Sequence, residues 1–514
     1  MNLNFVNDPM LSLRTSSGVA LVTLPDLLAV AIRDDIHDLP ALRPHQRQPL
    51  HAFLAQLGAL ALLGAGLDEA PSDEADWARL LRGLTPQWPD DAPWSLVAED
   101  LSKPALLQPP VPENDLSALK ETEMTPDGLD MLVTSKNHDL KAARMVAARP
   151  EHWFYALLTL QTMEGFLGAG NYGIARMNGG FASRAMIGAA PSRGWGARLK
   201  RDMLALVADH DANASEYAYR ARSGKALLWL EPWDGKTQLQ LASLDPYFIE
   251  ICRRVRLVEQ DGRIVARRGS SAKARIAVDK TLNGRTGDPW APYADKVLTV
   301  DGAGFNYGRV VRLLDPEVYK AAPLQKLRKE DGTGAIVLHF LATARGHGGT
   351  DGFHERRILV PAKVAPLLGR KRDVLASQAD SQVKEAGATR RRVLNAALLT
   401  LLQNAPEKVN YKHVASDARA APFLAAFDAE IDRVFFDRLF EALEAEDDAA
   451  RAVARRKWLD TLLRSARDQL AAAETATPRS GIRRQFAISA ARDALTGFFR
   501  HTFPETKEEA HVDA

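Results

Sequence analysis

Several stretches of this chain carry residue types whose spacing would suit chemistry. Gly168-Ala-Gly170-Asn-Tyr-Gly173 matches the glycine fingerprint by which backbone amides hold a dinucleotide pyrophosphate. That chemistry needs a strand before the glycines, a helix after them and an acidic residue about 20 positions on. Here a helix-like segment comes first and no such acid follows, so a Rossmann site is not expected. The run His347-Gly348-Gly349-Thr350-Asp351-Gly352-Phe-His354-Glu355 gathers two imidazoles and two carboxylates, a donor set for a divalent metal. The same run reads as the tip of a hairpin between strands Ile336 to Ala344 and Glu355 to Val360, with Gly346, Gly348, Gly349 and Gly352 in the turn. A hairpin tip is exposed and rarely encloses a metal, so neither a metal nor a cofactor is expected. A metal-dependent nuclease built on His347, Asp351, His354 and Glu355 stands as the alternative. Asp34-Asp35-Ile36-His37-Asp38 fits a solvated turn with capping roles. The sequence contains no Gly-x-Ser-x-Gly elbow, Walker loop or His-Glu-x-x-His, and its one cysteine, Cys252, has no matched partner. A non-catalytic protein is expected.

Charge is the stronger signal. Among 514 residues, 67 Lys and Arg face 65 Asp and Glu, a net charge of +2 that excludes a histone-like polycation. The balance is uneven along the chain. Residues 165–201 hold Arg176, Arg184, Arg193, Arg198, Lys200 and Arg201 with no acid, among many glycines. A second acid-free segment, 262–278, holds Arg263, Arg267, Arg268, Lys273 and Arg275, and a third cluster is Arg390-Arg391-Arg392. The third reads as a solvated helix face. The first two favour contact with a nucleic-acid backbone, since bare glycine backbone approaches an anion closely while guanidinium groups neutralise it. A purely structural scaffold, with basic loops facing acidic subunits, is the third reading. A hydrophobic share of 46% and a charged share of 26% are those of a globular protein. One cysteine fits a reducing cytoplasm. The N-terminus lacks a basic signal region, and the apolar stretch Phe53 to Leu63, broken by Gln56, is too short to span a bilayer, so no membrane partner is expected.

The elements that must position these residues read as α+β: a large mixed N-terminal domain (1–368) with short antiparallel sheets, then a C-terminal four-helix bundle (369–514). A hairpin opens the chain through Leu11, Leu13, Val19 and Leu21, and helical spacing follows from Pro49 and over Trp153 to Phe166. Residues 101–128 read as a proline-rich acidic loop. Short strands are predicted at Ala226 to Leu230, Gln238 to Leu244, Val297 to Val300 and Ile336 to Ala344. Four helical segments, about 371–403, 415–446, 449–473 and 480–503, are separated by Asn404-Ala405-Pro406, Glu446-Asp447-Asp448 and Thr477-Pro478.

Particular motifs carry a resemblance. Leu132-Val-Thr-Ser-Lys136-Asn137-His138-Asp139-Leu-Lys141, Thr159-Leu-Gln161-Thr-Met-Glu164-Gly165-Phe166, Arg176-Met-Asn178-Gly179-Gly180-Phe181, Gly284-Arg-Thr-Gly287-Asp288-Pro289-Trp290 and Gly349 to Arg357 together resemble the large subunit of the type I-E CRISPR surveillance complex Cascade, the CasA family. The likeness runs over essentially the whole chain. It implies a non-catalytic subunit that recognises the PAM in double-stranded target DNA, promotes unwinding and R-loop formation, and recruits a helicase-nuclease. Its implied partners are the CRISPR RNA and the backbone, small and 5′-handle-binding Cascade subunits. By the same resemblance, Asn178, Gly179 and Gly180 form the PAM glycine loop, and Lys280, Arg275 or Lys273 supplies the basic minor-groove contact, with Lys280 preferred. His347, Gly348, Gly349, Thr350, Asp351 and Gly352 form the wedge hairpin. Lys136, Asn137, His138 and Lys141 form the guide and subunit loop, and Arg176 and Arg184 contact the DNA backbone. Two departures stand out. Family members carry paired cysteines for zinc where this chain has only Cys252, and amide-tipped wedges where it has His347, Thr350 and Asp351.

Overall fold

Alternating Leu11 and Leu13 face inward on β1 (Leu11–Thr15), which turns at Ser16-Ser17 into antiparallel β2 (Gly18–Val22). Thr23 then caps α1 (Leu24–Ile32) by accepting the Asp26 N–H at 3.1 Å, with Pro25 in the first turn where its missing N–H costs nothing. The computed structural model describes residues 3–130, 132–133, 145, 147–177, 183–191, 193–346, 349–369, 371–477 and 481–506. Its chain divides into two compact units, Met1–Phe305 with Glu317–Leu359, and Asn306–Pro316 with Val360–Ala514.

The first unit is organised around α2 (Arg47–Ala65), buried on every face from Gln48 to Leu62. Among the described residues, Pro44–Ala65 is the one helix long and apolar enough to cross a bilayer, and here it is enclosed by protein. Against it pack α3 (Glu74–Gly83), α4 (Pro150–Met163) and α5 (Trp195–Tyr217). The approach of α5 is close: a Cβ on Gly58 would lie 2.3 Å from Met203 Cε. Arg198, Lys200 and Arg201, which the sequence suggested were in a loop, therefore ride on a helix.

Between these helices run β3 (Glu121–Glu123), β4 (Met186–Pro191), β5 (Lys225–Leu227), β6 (Leu239–Gln240), β7 (Leu244–Ile249), β8 (Arg254–Gln260), β9 (Arg263–Gly269), β10 (Ile276–Ala277), β11 (Ile336–Gly346) and β12 (Gly349–Val360). They form a β12-β11-β4 sheet, a β3-β9-β8 sheet and two parallel two-stranded pairs, β5-β7 and β10-β6. The acidic loop at 101–128 thus contributes a strand. Val297 makes only an isolated bridge to Tyr293, so the predicted strand at 297–300 is absent, and the predicted strand 238–244 breaks at a 3₁₀ turn over Leu241–Ser243.

The second unit carries α6 (Tyr307–Leu314), α7 (Arg372–Ala388), a π turn (Thr389–Leu394), α8 (Asn395–Leu402), α9 (Val414–Glu444), α10 (Asp448–Ala476) and α11 (Gly481–Thr502). The expected first bundle helix is α7, the π turn and α8 in succession. The unit begins at Val360, not 369, and takes in α6 from far upstream. Tyr307 stacks on Phe435 with ring centroids 4.7 Å apart, and Arg372 donates to the Leu314 carbonyl at 3.0 Å. Arg390, in the π turn, pairs with Asp428 at 2.7 Å.

Candidate nucleic-acid interface

Asn178, Gly179 and Gly180 lie outside the described residues, but both stems of their loop are fixed. On one side Arg176 is 1% exposed; its Nη2 donates to the Pro246 and Phe248 carbonyls at 3.2 and 3.3 Å, and its guanidinium lies 4.2 Å from the Phe248 ring centroid. The neighbouring Ala175 N–H donates to buried Glu250, whose pKa burial pushes up to about 7. On the other side Arg184 makes a bidentate pair with Asp288 at 2.6 and 2.7 Å, above Trp290. Burial opposes ionisation of Asp288, yet the Arg184 and Arg176 charges overcome it and hold its carboxyl below the usual range. Arg176 and Arg184 were expected to contact DNA phosphate; here both guanidinium groups are buried and bonded to internal groups.

Lys280 begins a 3₁₀ turn (Lys280–Leu282) capped by Asp279. The chain then reverses through Asn283 and Gly284, both at positive φ. A Cβ on Gly284 would lie 3.0 Å from the Arg176 carbonyl oxygen and 2.4 Å from Val297 Cγ1. The turn bearing Lys280 therefore rests on the stem of the glycine loop, and Lys280 itself is exposed. Arg275, by contrast, is buried, donating to the Glu231 and Pro232 carbonyls with its guanidinium 5.3 Å from the Trp233 ring. Being buried, it is a poorer minor-groove candidate than exposed Lys280. Lys273 is exposed, but its backbone is tied to the loop at Gly235.

Antiparallel pairing sets Ile336 against Pro191 and Leu341 against Met186. Ala342 to Gly346 thus run on beyond the start of β4, about 17 Å at ~3.4 Å per residue. His347 and Gly348 lie outside the described residues. At the start of β12, Thr350 donates to the Ala344 carbonyl at 2.7 Å and accepts from Gly352 N–H, with Gly352 at φ +93°. Asp351 is exposed, its side chain beside Gly302. Of the residues in the metal reading, His354 packs against Gly304, while adjacent Glu355 pairs with Arg357 at 2.6 Å. Among the described residues no cluster of three His, Cys, Asp or Glu could hold a metal ion.

Lys136, Asn137, His138 and Lys141 also lie outside the described residues, and again the stems are fixed. Asp130 accepts the Leu132 N–H at 2.9 Å and Asp127 accepts the Met145 N–H at 3.1 Å, gathering both ends of the loop. Arg43 bridges the two carboxylates at 2.6 and 2.8 Å, and His45 reaches Asp130 at 2.9 Å. Burial would raise the Asp130 pKa, but His45 and Arg43 hold it far below the carboxylate range.

Several cations of the segments that are acid-free in sequence are engaged within the protein. Arg268 pairs with Glu123 of β3 at 2.5 Å, Arg267 donates to the Leu119 carbonyl, and Arg201 pairs with Asp331 at 2.9 Å. Gly168 to Gly173 fold into a closed turn, with Asn171 N–H donating to Gly168 O, and no helix opens from it. Sequence reasoning missed the residues that hold the loops: Arg43, His45, Asp127, Asp130, Glu250, Gly284 and the structural role of Asp288. The Asp127–Asp130 spacing and the Gly284-to-Trp290 motif were visible signals, but their partners lie far along the chain.

No family model and no curated protein matches this sequence. Solved structures do. The chain has the fold of CRISPR-associated proteins of the Cse1/CasA kind, matched along nearly its whole length. CRISPR-associated protein Cse1 from Acidimicrobium ferrooxidans is similar with a TM-score of 0.66 at 16% identity, covering 98% of this chain and 99% of that one. CasA of Thermus thermophilus gives 0.63 at 15%, covering 98% and 100%, and Cse1 of Thermobifida fusca gives 0.61 at 15%, covering 98% of each. The resemblance read from the sequence is met at the level of the fold.

Proposed function

We propose that this protein is the non-catalytic large subunit of a type I-E CRISPR RNA-guided surveillance complex, working in the cytoplasm. In this reading it recognises the PAM in double-stranded DNA, promotes target unwinding and R-loop formation, and recruits a separate helicase-nuclease. One observation supports it above the rest. On a Cse1-like fold, the turn bearing exposed Lys280 packs on Arg176, next in sequence to the expected glycine loop, and β11 runs on beyond the start of β4 toward the expected wedge. Glycine backbone and a lysine suit the minor groove, whose base pattern is degenerate, so several related PAMs are tolerated. The hairpin wedges beneath the PAM while guide pairing reads the long sequence. The loop carrying Lys136, Asn137, His138 and Lys141 faces the CRISPR RNA and neighbouring subunits. The test is a gel shift of the assembled complex across a PAM library. Gly179→Leu with Gly180→Leu, or Lys280→Glu, should abolish PAM-dependent binding. Unchanged binding in both variants overturns the reading.

A further inference from the structure

Beside the β12-β11-β4 sheet the first unit holds a cavity of about 320 Å³, within the size range of small-ligand sites. Val337, His339 and Leu341 of β11 form one wall, Gln48 of α2 and the first turn of α5 another, and the turn from Ile36 to Leu42 a third. Arg47, Arg193, Arg198 and Arg357 line it against only two carboxylates, Asp38 and Glu355. Glu355 holds Arg357 at 2.6 Å, and Asp38 stands 3.9 Å from Arg47.

Arg198 is the buried one of the four. It is 8% exposed, and its nearest carboxylate, Asp202 at 3.9 Å, is shared with His51 at 2.8 Å and Arg201 at 3.0 Å. Its hydrogen bond is to Gln48 Oε1 at 3.1 Å, and buried Gln48 keeps an Nε2 with no partner. Burial, with Arg357 and Arg201 adding repulsion, brings the Arg198 pKa down to about 10, so it stays charged at neutral pH. Burial and the same cations push His339 down to about 2, leaving a neutral imidazole. A buried guanidinium is costly unless an anion meets it. The remaining walls are apolar and include Trp195.

Cationic donors together with an indole and aliphatic side chains in one cavity suit an anion joined to an aromatic ring. We propose that this cavity binds a nucleoside phosphate, with the phosphate on Arg198, Arg193, Arg357 and the Gln48 amide and the base against Trp195. The proposal stands on the cavity alone and is independent of PAM recognition. A free nucleotide and a nucleotide within a strand offer the same chemistry.

The full chain is titrated with AMP, adenosine, inorganic phosphate and a trinucleotide, followed by calorimetry and tryptophan fluorescence. AMP should bind saturably and adenosine should not. Arg357→Gln and Arg193→Gln should each weaken AMP by about tenfold, the scale of a charged hydrogen bond, and Trp195→Leu should weaken AMP while leaving phosphate unchanged. Arg198→Gln is the most direct variant, and the exposed arginines keep the test readable if it fails to fold. A trinucleotide that binds tighter than AMP identifies a strand as the source, and equal binding identifies the free nucleotide. Absence of saturable binding by either, indifference to both exposed arginine variants, or equal affinity for phosphate and AMP overturns the proposal.

Discussion

Replacing Asp288 by Asn keeps the side-chain shape but leaves Arg184 buried without its charge partner. The pair is 2% exposed on each side, bidentate, and lies over Trp290. Breaking a buried pair of this kind by removing one partner costs about 3–5 kcal/mol, whereas replacing both partners by uncharged groups is often close to neutral. Asp288→Asn should therefore destabilise the first unit by about 3 kcal/mol or more in urea unfolding. Arg184→Met with Asp288→Asn should recover most of that, giving a coupling of about 2 kcal/mol or more in a double-mutant cycle. The assembled complex carrying Asp288→Asn should lose PAM-dependent affinity, because a stem of the 178–182 loop is released. The salt series then separates positioning from contact. If Arg184 only positions, the stable double variant keeps the wild-type slope of log K against log salt. A slope reduced by about 0.9 would mean that Arg184 itself neutralises a phosphate and would refute its assignment as an internal anchor. A single variant within about 0.5 kcal/mol of wild type would refute the energetic reasoning as well.

Three further outcomes are expected. Glu250 has its pKa raised by burial from 4.5 to about 7, so the stability tied to its protonated form is full below pH 4.5 and lost as pH rises through about 7. At 1.36 kcal/mol per pH unit this amounts to about 3 kcal/mol, and Glu250→Gln should flatten the dependence of urea midpoint on pH between 5 and 8. Gly284→Val should cost roughly 2 kcal/mol or more, because a β-branched residue is strained at φ +78° and its Cβ would meet the Arg176 carbonyl; thermal unfolding checks it, and PAM affinity should fall with it. Glu121→Gln with Glu123→Gln removes the carboxylates opposite Arg268. Non-specific DNA binding by the complex should then strengthen at low salt and return to the wild-type level at high salt.

Periodicity carried far into this fold. The opening hairpin, the bundle helices and the strands flanking His347 were legible because side-chain alternation and helical spacing are local properties. The 3₁₀ break at Leu241–Ser243 and the π turn at Thr389–Leu394 were not, since both depend on how neighbouring segments pack. The candidate interface divides in the same way. Residues 178–180, 280 and 347–352 were placed by the family resemblance, which short motifs carry, while the burial of Arg176, Arg184 and Arg275 shows only in the folded chain.

By itself the sequence determined the α+β class, the helical C-terminal unit, the projecting hairpin and the places where bare backbone and cations coincide. Each follows from neighbours within a few residues. Only the tertiary structure decided which cations stay exposed. Arg184 meets Asp288 across 104 positions and Arg268 meets Glu123 across 145, and no one-dimensional charge count registers such pairs. Once burial had taken those guanidinium groups out of water, an internal carboxylate or carbonyl had to satisfy them. Charge that looked available along the chain became the fastening of loops, with exposed Lys280 on the turn beside the glycine stem.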